Sequence, residues 1–295
     1  KPLTLDQLGF LDGPRKLVEE AIKKPYGMVL VTGPTGSGKT TTLYSILGIL
    51  NQPNVNISTI EDPIEYRIQG VNQSQINPKV GFTFASGLRS FLRQDPNIIM
   101  VGEIRDQETA EIAIHAAMTG HLVLSTLHTN DAPTTLPRLV DMGVPPFLVA
   151  YTTNIVMAQR LVRKICPYCK KGYNLDKSSA DELGRVFDVK KISALFKNNI
   201  PKDYKDEGGA VEKITFYKGD GCNRCGQSGY KGRIGIYEIL EIDEELTRMI
   251  NAHATADDIK TYARLHNMIT MLEDGLVKAK MGVTTIAEVL RVTKE

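Results

Sequence analysis

Residues 29–41 read Val29-Leu30-Val31-Thr32-Gly33-Pro34-Thr35-Gly36-Ser37-Gly38-Lys39-Thr40-Thr41. An apolar, β-branched run stops at Gly33, and four residues separate Gly33 from Gly38-Lys39-Thr40, so the phosphate-loop pattern G-x-x-x-x-G-K-[ST] is matched at every position. We therefore predict a buried strand, a glycine-rich loop and a helix whose N-terminus faces the same anion. A glycine-rich turn that matches by chance is the alternative, and the patterns on either side disfavour it.

The predicted phosphate loop supplies the candidate nucleotide-binding residues. Its glycines allow successive backbone N–H groups to point at phosphate oxygens. Lys39 would reach the β and γ phosphates, and the Thr40 hydroxyl would bind Mg²⁺. The residues expected to contact the nucleotide are Gly33, Pro34, Thr35, Gly36, Ser37, Gly38, Lys39, Thr40 and Thr41.

The composition limits the class of protein. The 295 residues are 42% hydrophobic, enough for a substantial core in about two domains. Thirty-six Lys and Arg stand against 34 Asp and Glu, so charge gives no case for a nucleic-acid or anionic-lipid partner. No apolar stretch reaches the roughly 18 residues that span a bilayer, and no basic start followed by an apolar region predicts a secretory signal. We expect a soluble, cytoplasmic chain, and interpret a sequence that starts at Lys1 as a fragment.

Carboxylates follow two predicted strands. The strand over 55–60 runs into Glu61-Asp62-Pro63-Ile64-Glu65, and the apolar run from residue 97 stops at Glu103. In an open parallel sheet these strand ends lie at the edge where ligands bind. A solvated charged turn is the alternative, and it is favoured for Glu61 taken alone. A carboxylate at the second strand end would bind Mg²⁺ directly, bind it through water, or polarise the attacking water.

Three further basic side chains are candidate residues of the functional site. Arg89 and Arg93, four residues apart on a helix predicted over 82–93, share a face that would meet an anion or an acidic surface, or be solvated. A lone histidine is usually a satisfied surface or core group, but His128 follows a strand predicted over 121–127, at a position where a γ-phosphate sensor could sit. His115 is interpreted as structural. Asp106 is predicted to begin a helix with a buried alanine-rich stripe.

The four cysteines form two C-x-x-C knuckles, Cys166-Pro167-Tyr168-Cys169 and Cys222-Asn223-Arg224-Cys225, with 52 residues between them. Each knuckle puts two thiolates on one side of a tight turn, and two knuckles complete a tetrahedral zinc site. Disulfides are unexpected in a cytoplasmic chain, and a redox pair is disfavoured because both knuckles match. The intervening segment is expected to hold a small subdomain, with a helix-capping box at residues 179–182.

The remaining segments predict peripheral elements. Alternation over residues 71–76 predicts a small hairpin, and residues 234–242 are typical of a strand. Capping boxes of Thr255 with Asp258 and of Thr285 with Glu288 predict about three short helices between residues 243 and 292.

The order of these motifs resembles that of the secretion ATPases of type IV pilus assembly and type II secretion. The motifs are, in order, the phosphate loop, the acidic box from Glu61 to Glu65, the strand end at Glu103, the segment before His128 and the paired knuckles. The resemblance implies an α/β, RecA-like P-loop NTPase with a mostly parallel sheet, an inserted zinc-binding subdomain and a helical C-terminal tail. The implied domains are a linker and first helix (1–24), the ATPase core (25–162), the tetracysteine subdomain (163–235) and a C-terminal strand and helices (236–295).

The resemblance also implies a function. It implies an ATP-hydrolysing motor that assembles into a cytoplasmic ring of six subunits, contacts an inner-membrane platform protein, and moves pilin or pseudopilin subunits from that membrane. Retraction ATPases of the superfamily lack the knuckles, so Cys166, Cys169, Cys222 and Cys225 indicate the assembly or secretion branch. The family carries an amino-terminal domain that contributes arginines to a neighbour's site. We expect this segment alone to hydrolyse ATP slowly and to associate weakly.

The resemblance assigns roles to the candidate residues. Glu65 would polarise the attacking water, while Glu103 would hold Mg²⁺ through its water shell together with Thr40. Arg105, Arg89 and Arg93 would stabilise charge or contact a neighbouring subunit.

Two functions of other classes remain. A zinc-containing nucleic-acid motor should show a basic groove with interleaved aromatics, but the chain has no Trp and a balanced charge. A small-molecule phosphotransferase would share the phosphate loop, but would not need Glu65 and Glu103 at two strand ends.

Overall fold

The computed structural model describes residues 2–176, 183–184, 189–200 and 214–294. The capping box predicted at residues 179–182 lies outside these ranges. The helices are α1 (Leu5–Leu8), α2 (Asp12–Ala21), α3 (Lys39–Leu50), α4 (Phe84–Phe91), α5 (Gln107–Met118), α6 (Thr135–Asp141), α7 (Pro146–Thr152), α8 (Val189–Asn199), α9 (Glu244–Asn251), α10 (Ala256–Leu265), α11 (Met271–Lys280) and α12 (Ile286–Thr293). The strands are β1 (Gly27–Thr32), β2 (Ile57–Glu61), β3 (Asn72–Gln75), β4 (Ile98–Val101), β5 (Leu122–Leu127), β6 (Thr153–Ile165), β7 (Lys170–Asn174), β8 (Thr215–Gly219) and β9 (Tyr230–Glu241).

The chain divides into two compact units. The first unit contains Lys1–Leu8, Pro14–Gln159 and Glu238–Ile269, and the second contains Gly9–Gly13, Arg160–Tyr237 and Thr270–Glu295. Two of the boundaries therefore fall within strands β6 and β9.

The first unit is built on a mostly parallel sheet with the strand order β3-β2-β4-β5-β1-β6-β9. Strand β1 pairs in parallel with β5 and β6, and β2 pairs in parallel with β3 and β4. Strands β1, β4 and β5 are buried along their whole length, as expected for central strands of a parallel sheet. The α/β class predicted from the sequence is confirmed. The phosphate loop follows β1, the acidic box begins at the last residue of β2, Glu103 follows β4 and His128 follows β5.

The hairpin predicted over residues 71–76 is wrong. Strand β3 pairs in parallel with β2, from Ser58 opposite Asn72 to Glu61 opposite Gln75. Alternating side chains are common to parallel and antiparallel strands, so periodicity alone cannot choose between them. The intervening segment 62–71 is long enough to return the chain to the start of β2.

Side-chain caps define several helices. Asp106 caps α5 by accepting a hydrogen bond from the Thr109 N–H at 2.8 Å, which confirms the predicted helix start. Thr255 and Asp258 form the predicted capping box of α10. The continuous described segment 243–294 contains four helices, not about three, because a further capping box at Thr270 starts α11.

The second unit contains an antiparallel pair of strands, β7 and β8, with Lys170 opposite Gly219 and Asn174 opposite Thr215. Phe216 of β8 packs in an apolar cluster with side chains from other elements of this unit, namely Leu11, Leu183, Phe196, Ile214, Leu276, Val277 and Ala279. Within the described ranges, no helix is both long and apolar enough to cross a bilayer.

Glu288 stabilises the second unit through buried charge-assisted hydrogen bonds. Its carboxylate accepts hydrogen bonds from the Arg163 guanidinium at 2.6 Å and the Arg163 backbone N–H at 3.0 Å, and from Arg291 at 2.8 Å. Burial disfavours the charged form of Glu288, but the hydrogen bonds from Arg291 and Arg163 outweigh this and lower its pKa from 4.5 to about 2. The ionised carboxylate therefore stabilises the fold above about pH 4.5, and this contribution is lost as the pH falls toward 2.

We expect Glu288→Gln to lower the free energy of unfolding by about 2 kcal/mol near neutral pH, because two arginines lose a charged acceptor. The deficit should shrink as the pH falls from about 4.5 toward 2, because the unfolded chain of the unchanged protein then takes up a proton at Glu288 while the native carboxylate stays ionised, and the advantage of the ionised carboxylate is lost. Urea denaturation at a series of pH values measures both effects. Glu244→Gln, at a side chain that is 94% exposed, is the control. A deficit that stays constant with pH would contradict this account.

Candidate functional site

The phosphate loop connects β1 to α3 in the first unit. Gly33, Gly36 and Gly38 have φ angles of +146°, +79° and +88°, a region that favours glycine. A Cβ atom at Gly33 would lie 2.5 Å from the Gln159 carbonyl oxygen. A side chain at this position would therefore clash with β6 and prevent the loop from packing this close to the strand. Helix α3 starts at Lys39 without a side-chain cap, which leaves its first N–H groups to an anion.

The Lys39 ammonium group lies against the loop. It donates hydrogen bonds to the carbonyl oxygens of Gly33 at 2.8 Å and Pro34 at 3.2 Å. Burial lowers the pKa of Lys39, and the charge of Glu103 opposes that shift. Lys39 therefore lies within electrostatic reach of a carboxylate that follows β4.

The buried hydroxyl of Ser37 tests whether the loop fits a phosphate. Ser37 is 4% exposed, and its Oγ has no hydrogen-bond partner among the residues that the structure describes. Three features together fit an anion-binding loop. They are a buried hydroxyl donor without a partner in the described ranges, a helix start without a side-chain cap, and glycines with left-handed backbone angles. Thr40 at the start of α3 is partly buried, and Thr41 is exposed.

Glu103 is the centre of a charged cluster. Its side chain is 13% exposed, forms an ion pair with Arg105, and lies 3.2 Å from the Nε2 atom of His128. Burial disfavours the ionised form of Glu103 and by itself would raise its pKa. Hydrogen bonds and charge from Arg105 and His128 outweigh this effect, so the pKa of Glu103 is lowered. The structure thus brings together three of the predicted site residues, and it keeps Glu103 ionised.

The acidic box separates into residues with different environments. Glu61 is 2% exposed at the end of β2 and accepts a hydrogen bond from Tyr44, so the solvated turn favoured for this residue is wrong. Glu65 is exposed, and its carboxylate forms no hydrogen bond or ion pair among the described residues. Asp62 contributes charge that raises the pKa of Arg105, although the Glu103 hydrogen bond has the larger effect.

The four cysteines converge in the second unit, where their Sγ atoms all lie within 4.8 Å of one another. The Sγ separations are 3.9 Å for Cys166 and Cys222, 3.9 Å for Cys169 and Cys225, and 3.7 Å for Cys222 and Cys225. A tetrahedral zinc site with Zn–S bonds of about 2.3 Å requires sulfur separations of about 3.8 Å. The thiols are free rather than paired in disulfides, and the cluster has the dimensions of a metal site.

Comparison with known proteins agrees with this geometry. The family model of the Type II/IV secretion system protein matches residues 1–291. The chain belongs to this family.

Two curated relatives illustrate its range. The chain is 48% identical over 291 residues to the type IV pilus assembly ATPase PilB of Thermus thermophilus, covering 99% of this chain and 30% of the relative. It is 47% identical over 293 residues to the type II secretion system protein E of Pseudomonas aeruginosa, covering 99% of this chain and 54% of that protein. The chain thus spans about half, or less, of the length of these relatives.

A solved structure supports the fold of this secretion-system family member. The crystal structure of the pilus retraction motor PilT with bound ADP matches all of this chain and 68% of PilT, with a TM-score of 0.69 and 28% identity. The resemblance to pilus and secretion ATPases predicted from the motif order is confirmed, as is the RecA-like P-loop class.

Gln159 contacts the phosphate loop of this family member, and the sequence patterns did not indicate it. From β6, its Nε2 donates to the Ser37 carbonyl oxygen at 2.8 Å, and its Oε1 accepts from the Thr42 hydroxyl at 2.8 Å. Gln159 thereby connects β6 to Ser37, before Lys39, and to Thr42, after it. It lies inside a long strand pattern, where no local signal distinguishes it.

Arg89 and Arg93 lie on and just after α4. Arg89 forms an ion pair with Glu108 of α5 at 2.6 Å, and Arg93 donates to the Arg89 carbonyl oxygen at 3.3 Å. His115 is exposed on α5. Arg89 thus pairs with one glutamate of the same unit, and its contact with an anion or an acidic surface stays a prediction.

Proposed function

We propose that this chain is the ATP-hydrolysing segment of a motor that powers type IV pilus assembly. The main support is electrostatic: Lys39 of the phosphate loop interacts with the charge of Glu103, which itself pairs with Arg105 and His128. These residues all lie near the carboxyl ends of the parallel strands. The 48% identity to a type IV pilus assembly ATPase supports the pathway. A type II secretion ATPase that drives pseudopilus assembly is the second candidate, supported by the 47% identity to a type II secretion system protein E.

The electrostatics support the part of the proposed division of labour that concerns Glu103, and the sequence resemblance and the strand-end positions supply the other roles. Residues 33–41 hold the phosphates of ATP, and Lys39 neutralises charge on the β and γ phosphates. Glu103 with its lowered pKa is a poor proton acceptor and a good cation ligand, so it and Thr40 would hold Mg²⁺. When bound, that ion supplies charge neutralisation at the phosphates. Glu65 is assigned as the group that polarises the attacking water, Arg105 as a charge stabiliser and His128 as a γ-phosphate sensor.

The enzymatic part of the proposal is tested by phosphate release from ATP in the absence of any acceptor. A phosphotransferase would release little phosphate without its acceptor, whereas a motor ATPase would turn over. Addition of single-stranded nucleic acid should leave the rate unchanged, because no nucleic-acid partner is expected. Strong stimulation would favour a nucleic-acid motor instead.

The pathway is tested genetically. Deletion of the gene should remove surface pili and leave protein secretion intact, and the reverse result would select the type II secretion candidate. The genes that neighbour it should belong to the same machine.

We further propose that Cys166, Cys169, Cys222 and Cys225 hold one structural Zn²⁺. The support is the convergence of four free thiols at separations that fit a tetrahedral sulfur shell, with Cys166 fully buried. A closed set of four thiolates leaves no position for substrate, which makes a structural role the expected one.

Cys222→Ser should release the metal and loosen the region from Val162 to Gly235, because three thiolates bind Zn²⁺ far more weakly than four. Metal analysis of protein purified under reducing conditions should give one zinc per chain for the unchanged protein and much less for the variant. Asn223→Ser, in the same turn, keeps all four thiols and should keep the zinc. Zinc-free unchanged protein would overturn the proposal.

For the full-length protein we propose a homo-hexamer at the cytoplasmic face of the inner membrane, held there by a platform protein rather than by its own membrane contact. The resemblance to pilus assembly and secretion ATPases implies the ring and the platform partner, and membership of the Type II/IV secretion system family supports that resemblance. Mass measurement of the full-length protein with ATP should give six copies.

A further inference from the structure

Tyr44 occupies a central position behind the acidic box. It lies on α3, five residues after Lys39, and is fully buried. Its hydroxyl donates a hydrogen bond to the Glu61 carboxylate and accepts one from the backbone N–H of Glu65 at 3.3 Å. The ring of Tyr44 packs edge-on against Tyr66, with centroids 4.7 Å apart. One side chain of the phosphate-loop helix therefore contacts the chain at Glu65 and at the next residue.

The Glu61 carboxylate anchors the Tyr44 hydroxyl. Besides Tyr44, it accepts hydrogen bonds from the Thr59 hydroxyl and from the Gln73 amide at 3.1 Å. Burial and the hydrogen bond to Glu61 raise the pKa of Tyr44, so the phenol keeps its proton and remains the donor to Glu61. The phenol oxygen is thus oriented toward the N–H of Glu65.

Gln73 holds the other side of the same segment. From the edge strand β3, its amide donates to the Tyr66 carbonyl oxygen at 3.1 Å and accepts from the Ile68 N–H at 2.7 Å. Together, Tyr44 and Gln73 bind the backbone at Glu65, Tyr66 and Ile68. The exposed Glu65 side chain is therefore carried on a backbone that the buried Tyr44 and the half-buried Gln73 hold in place.

We propose that Tyr44 and Glu61 are positioning residues for Glu65, with Glu61 holding the Tyr44 hydroxyl and Tyr44 holding the Glu65 backbone to the helix that starts at Lys39. The inference rests on the proposed function, in which Glu65 polarises the attacking water. A general base acts only within hydrogen-bond reach of its proton. A displacement of about 1 Å at such a group lowers the rate by about 10²-fold.

Tyr44→Phe tests this role because it removes the hydroxyl and keeps the ring that packs on Tyr66. We expect kcat to fall by about 10- to 10²-fold, while KM and nucleotide affinity change by less than about twofold, since the phosphate loop itself is untouched. Hydrogen exchange of the Glu65 amide should accelerate, and exchange in the phosphate loop should not. Tyr262→Phe removes another tyrosine-to-carboxylate hydrogen bond in the same unit, to Asp243, and should leave kcat unchanged.

The outcomes distinguish this inference from the proposed function. If Glu65→Gln is inactive while Tyr44→Phe has normal kcat, the positioning role alone is wrong. If Glu65→Gln keeps normal turnover, the assignment of the base fails and the positioning role fails with it. Equal losses of nucleotide affinity and kcat in Tyr44→Phe would show general damage and would also overturn the inference. Should Tyr44→Phe not fold, Gln73→Leu removes one hydrogen bond to the Glu61 carboxylate and frees the backbone at Tyr66 and Ile68, so it should show the same selective loss of kcat. Normal kcat in that variant would then overturn the inference.

Discussion

Lys39→Ala is expected to abolish ATP turnover, with a loss of about 10²-fold or more. Lys39 is the cation of the phosphate loop, and its ammonium group already lies at the loop carbonyl oxygens of Gly33 and Pro34. In the transition state, negative charge develops on the leaving oxygen as its bond to the γ-phosphate breaks. Without the Lys39 ammonium group, that charge has no fixed positive partner. Phosphate release measured with saturating Mg²⁺ and ATP gives the rate.

The control for Lys39 is Lys23→Ala, which removes an exposed lysine of the same unit. This variant should turn over normally. A Lys39→Ala protein with near-normal phosphate release would remove the phosphate loop from the mechanism, and with it the proposed activity.

Glu65→Gln is expected to stop hydrolysis, with a loss of about 10²- to 10⁴-fold, while ATP and Mg²⁺ still bind. The amide cannot accept a proton from the attacking water, but it occupies nearly the same volume as the carboxylate. Fluorescent-nucleotide binding and phosphate release, measured on the same preparation, separate affinity from turnover.

Glu103→Gln is the matched variant at the other strand end. Glu103 is kept ionised by Arg105 and His128, so its neutral replacement should weaken Mg²⁺ binding and raise the Mg²⁺ concentration needed for half-maximal turnover. If both variants lost nucleotide binding to the same extent, the division of labour between the two carboxylates would be wrong.

Local sequence determined much of this protein. The phosphate loop, the strand before it, the helix caps at Asp106 and Thr255, and the two cysteine knuckles are all encoded within a few residues. Their physical basis is equally local, because backbone angles at glycine, side-chain caps and thiolate spacing in a turn depend on nearest neighbours. The family follows from the order of these motifs.

The tertiary structure decided the environment of each charged group. Glu61 and Glu65 belong to one acidic box, yet Glu61 is buried against Tyr44 while Glu65 is exposed. Gln159 reaches the phosphate loop from a strand more than a hundred residues later. Burial, hydrogen-bond partners and pKa shifts are sums over atoms from distant parts of the chain, so only the folded arrangement determines them.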